Sequence, residues 1–217
     1  YLAALDALTG NMIWSSFFGA SDHSTAIFKV FSSSGDLEII GATQSPLIPM
    51  VNPFQPTFGG VSDGLYLKFS KTGTLLRSSY YGYSSQEFVW EARIVNNILI
   101  LAGEFPNLNG PIYGPAGIWR VDLATNVITK ATLPFHYTTQ LTAYIDSESN
   151  VFFSALSNVG QTDIATSDGY MTSTGPYIKT SMIKYDINNN REWGTFYGGN
   201  GGTQLGCLLY TSPSPRD

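Results

Sequence analysis

Charge is scarce in this chain: of 217 residues, 11 are Lys or Arg and 16 are Asp or Glu. A net charge of -5, with no basic run beside an aromatic-rich stretch, excludes the electrostatic footprint of a nucleic-acid-binding protein. Histidine is scarcer still. His23 and His136 stand far apart with no His, Cys or carboxylate at ligand spacing, so the sequence offers no metal site and both are expected to be ordinary turn residues. Long apolar runs are missing as well: Ile98 to Ala102 is typical and far too short to span a bilayer. Nucleophilic catalysis needs a nucleophile beside an oriented base, and glycoside hydrolysis a carboxylate pair across a cleft. Spacing provides neither, so no catalytic residue and no cofactor is expected. Glu87 with Glu91, and Asp146 with Glu148, are expected to be solvated surface carboxylates.

Cysteine occurs once, at Cys207, inside the segment 207–217. That segment resembles one reading frame of a transposase sequencing adapter and is expected to be a non-native tail. The natural sequence then holds no cysteine, which removes disulfide and thiol chemistry together. At the other end strand-like sequence begins at once from Tyr1, without Met or a signal segment, so further sequence is expected upstream.

What is present is apolar and turn-rich: 43% hydrophobic and 14% aromatic residues, with 22 Gly, 13 Tyr and 13 Phe. That is too apolar for disorder and suits strands and tight turns better than helices. Self-comparison shows a repeat. The segment ending Ser16-Phe17-Phe18-Gly19 aligns without gaps on the one ending Ser79-Tyr80-Tyr81-Gly82, an offset of 63 residues. The pattern returns at 184–198, ending Phe196-Tyr197-Gly198, and more weakly from Val121, where Leu133-Pro134-Phe135-His136 replaces the expected ending. Between these copies lie segments that read strand, tight turn, strand, with turns at 33–36, Asn96-Asn97 and 147–150.

One period therefore holds four short strands, in the first complete unit at 27–31, 37–42, 65–69 and 75–81. Sheets of that size cannot bury their faces alone and must pack against one another, which is the signature of propeller blades. The expected fold class is all-β: a partial, open β-propeller of four-stranded antiparallel blades, about three blades plus a half-blade. The boundaries are a propeller fragment over 1–206, with a half-blade at 1–19 and blades at about 24–83, 87–135 and 139–199. A β-sandwich is the competing architecture, but it does not predict the same hairpin chemistry at a fixed period.

The stretches 68–82, 52–60, 167–175 and 193–199 resemble the seven-bladed β-propeller repeat of large secreted bacterial proteins. The resemblance covers nearly all of 1–206 and implies a secreted or cell-surface location, with neighbouring blades in the same full-length chain. The function expected on this basis is a non-catalytic module acting in binding or as a scaffold, with an unknown protein or glycan as partner. The alternative is a fragment of a propeller enzyme, since the segment 4–14 ending in Trp14 also resembles the blade motif of quinone-dependent dehydrogenases.

In a four-stranded meander the first and third turns share one end, and the second turn and the inter-blade connection share the other. The long loops 44–64, 104–117 and 157–181 fall at the second end, where a binding surface is expected. Phe54, Phe58, Tyr113, Tyr170 and Tyr177 are the candidate ligand-binding residues, because aromatics offer large contact area at low entropic cost. Packing between blades is the plainer role for the same side chains. Ser62-Asp63-Gly64 and Ser167-Asp168-Gly169 lack the alternating oxygen ligands of a calcium loop and are expected to be turns.

Overall fold

The computed structural model describes residues 2–20, 25–33, 35–84, 86–105, 116–134 and 141–199. These form fourteen strands and no helix. They are β1 (Leu2–Leu5), β2 (Met12–Ser16), β3 (Thr25–Ser33), β4 (Asp36–Thr43), β5 (Asp63–Phe69), β6 (Leu75–Tyr81), β7 (Phe88–Val95), β8 (Ile98–Glu104), β9 (Ala116–Asp122), β10 (Ile128–Thr132), β11 (Thr142–Ile145), β12 (Val151–Ser157), β13 (Lys179–Tyr185) and β14 (Arg191–Tyr197). Each sheet is an antiparallel meander in chain order: β1–β2, β3–β6, β7–β10 and β11–β14. The chain is thus all-β, built from three four-stranded propeller blades and a two-stranded half-blade.

Turn chemistry accounts for the hairpins. Asn96 and Asn97 both adopt positive φ (48° and 65°), the conformation a two-residue hairpin turn demands. At the turn between the last two strands of three sheets an aspartate opens the reversal. Asp6, Asp122 and Asp186 each accept, on Oδ1, the backbone N–H two residues further on, at 3.1, 2.8 and 2.8 Å. Asp146 does the same at the first turn of the last blade, accepting from the N–H of Glu148 at 2.9 Å.

The strands pack in two compact units, one holding β1–β6 and the other β7, from Trp90 onward, to β14. Inner strands are largely buried on both faces, and Ile98-Leu99-Ile100-Leu101-Ala102 in β8 is the clearest apolar run among them. In the first unit Ile39, Leu65, Leu67, Phe69 and Tyr80 form a core that also receives Leu2 and Phe18 from the half-blade. Trp14 lies stacked on Phe69 (6.2 Å between ring centroids) and donates its indole N–H to the carbonyl of Lys71 at 3.1 Å. That role, docking one sheet on the next, is what the tryptophan of the segment 4–14 performs in this structure. In the second unit Ile100, Ala102 and Ile118 of one blade share a single core with Val151, Phe153, Ile183 and Phe196 of the next.

The long loops do something the sequence does not advertise. Residues 49–55 run along the outer edge of β6. The N–H of Ser78 donates to the carbonyl of Val51 (2.9 Å) and that of Tyr80 to the carbonyl of Gln55 (3.1 Å). The Ser79 hydroxyl accepts from the N–H groups of Phe54 and Gln55, at 3.1 and 2.9 Å. The last blade repeats the device: the N–H of Thr166 donates to the carbonyl of Gly194, and that of Phe196 to the carbonyl of Met171. An unpaired outer edge is a template for aggregation, and each of these blades caps it with its own loop.

Candidate functional site

The five aromatics singled out from the sequence divide three ways. Phe54 and Phe58 are half-buried within their own blade, with ring centroids 6.0 Å from Tyr66 and 5.5 Å from Tyr80 respectively. They pack inside one blade rather than between two. Tyr170, 80% exposed, lies 6.2 Å from the ring of Tyr197, and the two flank an open depression of about 610 Å³ with Met171, Gly198 and Gly199. Tyr177 is also exposed. Tyr113 lies outside the described residues, as do His23, His136 and the segment 207–217. Among the described residues no three His, Cys, Asp or Glu side chains gather as metal ligands, and no helix is long and apolar enough to cross a membrane.

Two carboxyl groups depart from expectation. Ser62-Asp63-Gly64 is not an exposed turn: Asp63 opens β5 and is fully buried. Its Oδ2 accepts from the N–H of Gly59 (2.8 Å) and from Gln55 Nε2 (3.4 Å), and its Oδ1 from the N–H of Gly60 (3.1 Å), so it clasps the end of the 44–62 loop. Glu87 is not a solvated surface carboxylate either, being 2% exposed. Its Oε1 accepts from the N–H of Tyr83 at 2.7 Å, and its Oε2 has no hydrogen-bond partner. Backbone pairing between Ser62 and the segment that follows Gly82 brings the two groups together, the N–H of Glu87 donating to the carbonyl of Ser62 at 3.3 Å. Gln55 spans both sides, since its Oε1 also accepts from the N–H of Gly82.

Burial dominates the electrostatics of the pair. Loss of water pushes Asp63 up to about 6, against the pull of the Gly59 and Gly60 N–H groups. The same loss pushes Glu87 up to about 8, with the negative charge of Asp63 adding to the effect. At neutral pH Glu87 is held as the neutral acid beside a largely ionised Asp63. Sequence reasoning missed the pair because 24 residues separate the two groups, and only the folding back of the long loop makes them neighbours.

The four-stranded antiparallel meanders make this chain an all-β protein of partial β-propeller architecture, with two buried carboxyl groups, Asp63 and Glu87. No family model and no curated protein matches the chain. Among solved structures it is similar to a mutant of Synechocystis apocarotenoid oxygenase, at 14% identity over 89% of this chain and 44% of that one, TM-score 0.44. It is similar also to an ACO/RPE65 chimera, at 14% identity, 89% and 44% coverage, TM-score 0.43. The chain spans 44% of the length of these structures. The expectation of a non-catalytic binding or scaffold module is corrected here. The finding against it is that the solved structures just named are an apocarotenoid oxygenase mutant and an ACO/RPE65 chimera. At this identity the likeness is one of fold.

Proposed function

We propose that this chain forms blades of a larger β-propeller protein, in which two strands from elsewhere in that protein complete the half-blade along the free edge of β1. One comparison carries the reading. Phe17 is 85% exposed, whereas Tyr80 and Phe196, at the same place in the repeat, are 1% and 0% exposed. Tyr80 is covered by the loop between the second and third strands of its blade: its hydroxyl donates to the carbonyl of Ser45 (2.9 Å) and accepts from the N–H of Ile48 (3.2 Å). β1 and β2 would stand at the third and fourth positions of a blade, so two strands beside β1 would carry the loop that buries this place of the repeat in the other blades. Leu5 and Ile13 are exposed too, while Leu2, Phe18 and Trp14 pack on the next blade. The likeness of the repeats to the seven-bladed family supports a ring of that size and export from a bacterial cell.

Alone, this chain is expected to self-associate in sizing chromatography through the uncovered half-blade, and the double variant Ile13→Lys, Phe17→Ser to elute as a monomer. A wild-type chain that stays monomeric across the micromolar range overturns the reading.

The Asp63–Glu87 pair favours an enzyme as the complete protein, since carboxyl groups with raised pKa values gather where protons are transferred. Glu87→Gln in that protein is then expected to lose turnover while keeping its fold by circular dichroism; turnover at the wild-type level would remove Glu87 from the chemistry.

A further inference from the structure

Gly19, Gly82 and Gly198 end the same motif, so Trp14 and Phe18 of the half-blade stand at the places that Trp193 and Tyr197 hold in the last blade. Strand pairing extends the match: Leu2 faces Ser16 as Met182 faces Thr195. Leu2, Trp14 and Phe18 are the side chains by which the half-blade docks on the next blade, where the Trp14 and Phe18 rings lie 6.2 and 5.8 Å from that of Phe69. Successive strand residues point to opposite faces, so Met182, Trp193 and Tyr197 lie on the other side of the last blade from Ile183 and Phe196, which are buried in the core shared with the preceding blade. All three stand outside that core; Tyr197 is exposed, and Phe152 adds its ring at 6.4 Å from Trp193. The indole N–H of Trp193 has no acceptor among the described residues, whereas that of Trp14 is given to the Lys71 carbonyl in a turn of the blade it docks on. Lys184, on the same face, is already paired with Glu192, so covering the face strands no lone charge.

The half-blade presents the complementary side. Leu5 pairs with Met12 as Phe69 pairs with Leu75 and Tyr185 with Arg191, yet it is 60% exposed where Phe69 and Tyr185 are 3% and 5%. In both other copies the cover at this place comes from the docking side of the preceding sheet: Phe69 lies under Trp14, and Tyr185 shares a core with Ile100 and Ile118. The chain thus uses one docking mode at two places within itself and presents each side of it once more, on the last blade and on the half-blade.

Resting on the reading that the uncovered half-blade drives self-association, we propose that the surface it meets is the last blade of a second copy, with Trp193 and Tyr197 over Leu5 as Trp14 and Phe18 lie over Phe69. The turn 6–11 supplies the carbonyl that Trp193 lacks, as the turn holding Lys71 does for Trp14. Such a contact is heterologous: each pair keeps one free last blade and one free half-blade, so copies add head to tail until the assembly closes on itself. Mixing separates this arrangement from half-blade meeting half-blade. The variant Ile13→Lys, Phe17→Ser keeps only its last blade competent, and Trp193→Lys, Tyr197→Ser keeps only its half-blade. In sedimentation velocity each is expected to be a monomer by itself, and an equimolar mixture to form a one-to-one heterodimer. Because Trp193 also packs on Phe152, a milder variant accompanies it: Tyr197→Ser alone, at an exposed position, is expected to weaken self-association about tenfold. Undiminished self-association of Tyr197→Ser overturns the proposal, as does a mixture of folded variants that stays monomeric. Either result leaves the half-blade reading standing, which a monomeric wild-type chain would sink along with it.

Discussion

Urea unfolding at about pH 9 is expected to give an unfolding free energy lower than at about pH 5 by on the order of 3 kcal/mol, and Glu87→Gln to flatten most of that slope above about pH 6. The sign follows from the two buried carboxyls. Both hold their protons more tightly when folded than when unfolded: Asp63 up to about 6 from 3.8, and Glu87 up to about 8 from 4.5. Between the unfolded and folded values the native chain carries more protons than the unfolded one. Stability is therefore fully present below the unfolded values and lost as pH rises through about 6 and then about 8. The turn aspartates work in the opposite direction at lower pH. The N–H of Thr9 lowers Asp6, that of Ala124 lowers Asp122, and the Asn190 side chain lowers Asp186, so their contribution is present above 3.8 and falls away in acid. A stability maximum at about pH 4 to 5 is the expected profile. A wild-type profile that rises steadily from pH 5 to 9 would mean that Glu87 is not held protonated in the fold.

Gly82→Ala is expected to destabilise the chain by about 2–3 kcal/mol, against about 1 kcal/mol for Gly175→Ala, measured by the same unfolding series. Both glycines have positive φ, 144° and 60°, but their surroundings differ. A Cβ at Gly175 meets nothing within 4 Å. A Cβ at Gly82 would sit 2.4 Å from Glu87 Cδ and 2.6 Å from Oε2, driving the buried acid out of its place. The glycine that ends the hydroxyl-aromatic-aromatic motif adopts nearly the same φ in all three clear copies: 149° at Gly19, 144° at Gly82 and 147° at Gly198. Equal costs for the two substitutions would show that the Glu87 carboxyl does not pack against Gly82.

The repeat, the hairpins and the apolar inner strands were legible because each is a local property. Asn96-Asn97 marks a turn wherever it falls, and a run such as Ile98 to Ala102 has to be covered on both faces. The motif Ser79-Tyr80-Tyr81-Gly82 was legible as a pattern but not as a mechanism. Its serine turns out to accept N–H groups from a loop 24 residues earlier, and its Tyr81 hydroxyl to donate to the carbonyl of Gly41. The expectation of a binding surface on the long loops rested on length and composition, which do not show that parts of the 44–62 and 158–178 loops also pair with the outer edge of their own blade.

Sequence alone determined that this protein is made of four-stranded antiparallel units that need neighbours, because alternation, turn residues and period are written along the chain. Tertiary structure decided which charges lose their water. Asp63, Glu87 and Arg120 look like ordinary polar residues in sequence. They lose their water only because segments distant along the chain fold over them, and desolvation is a property of what surrounds a group in space.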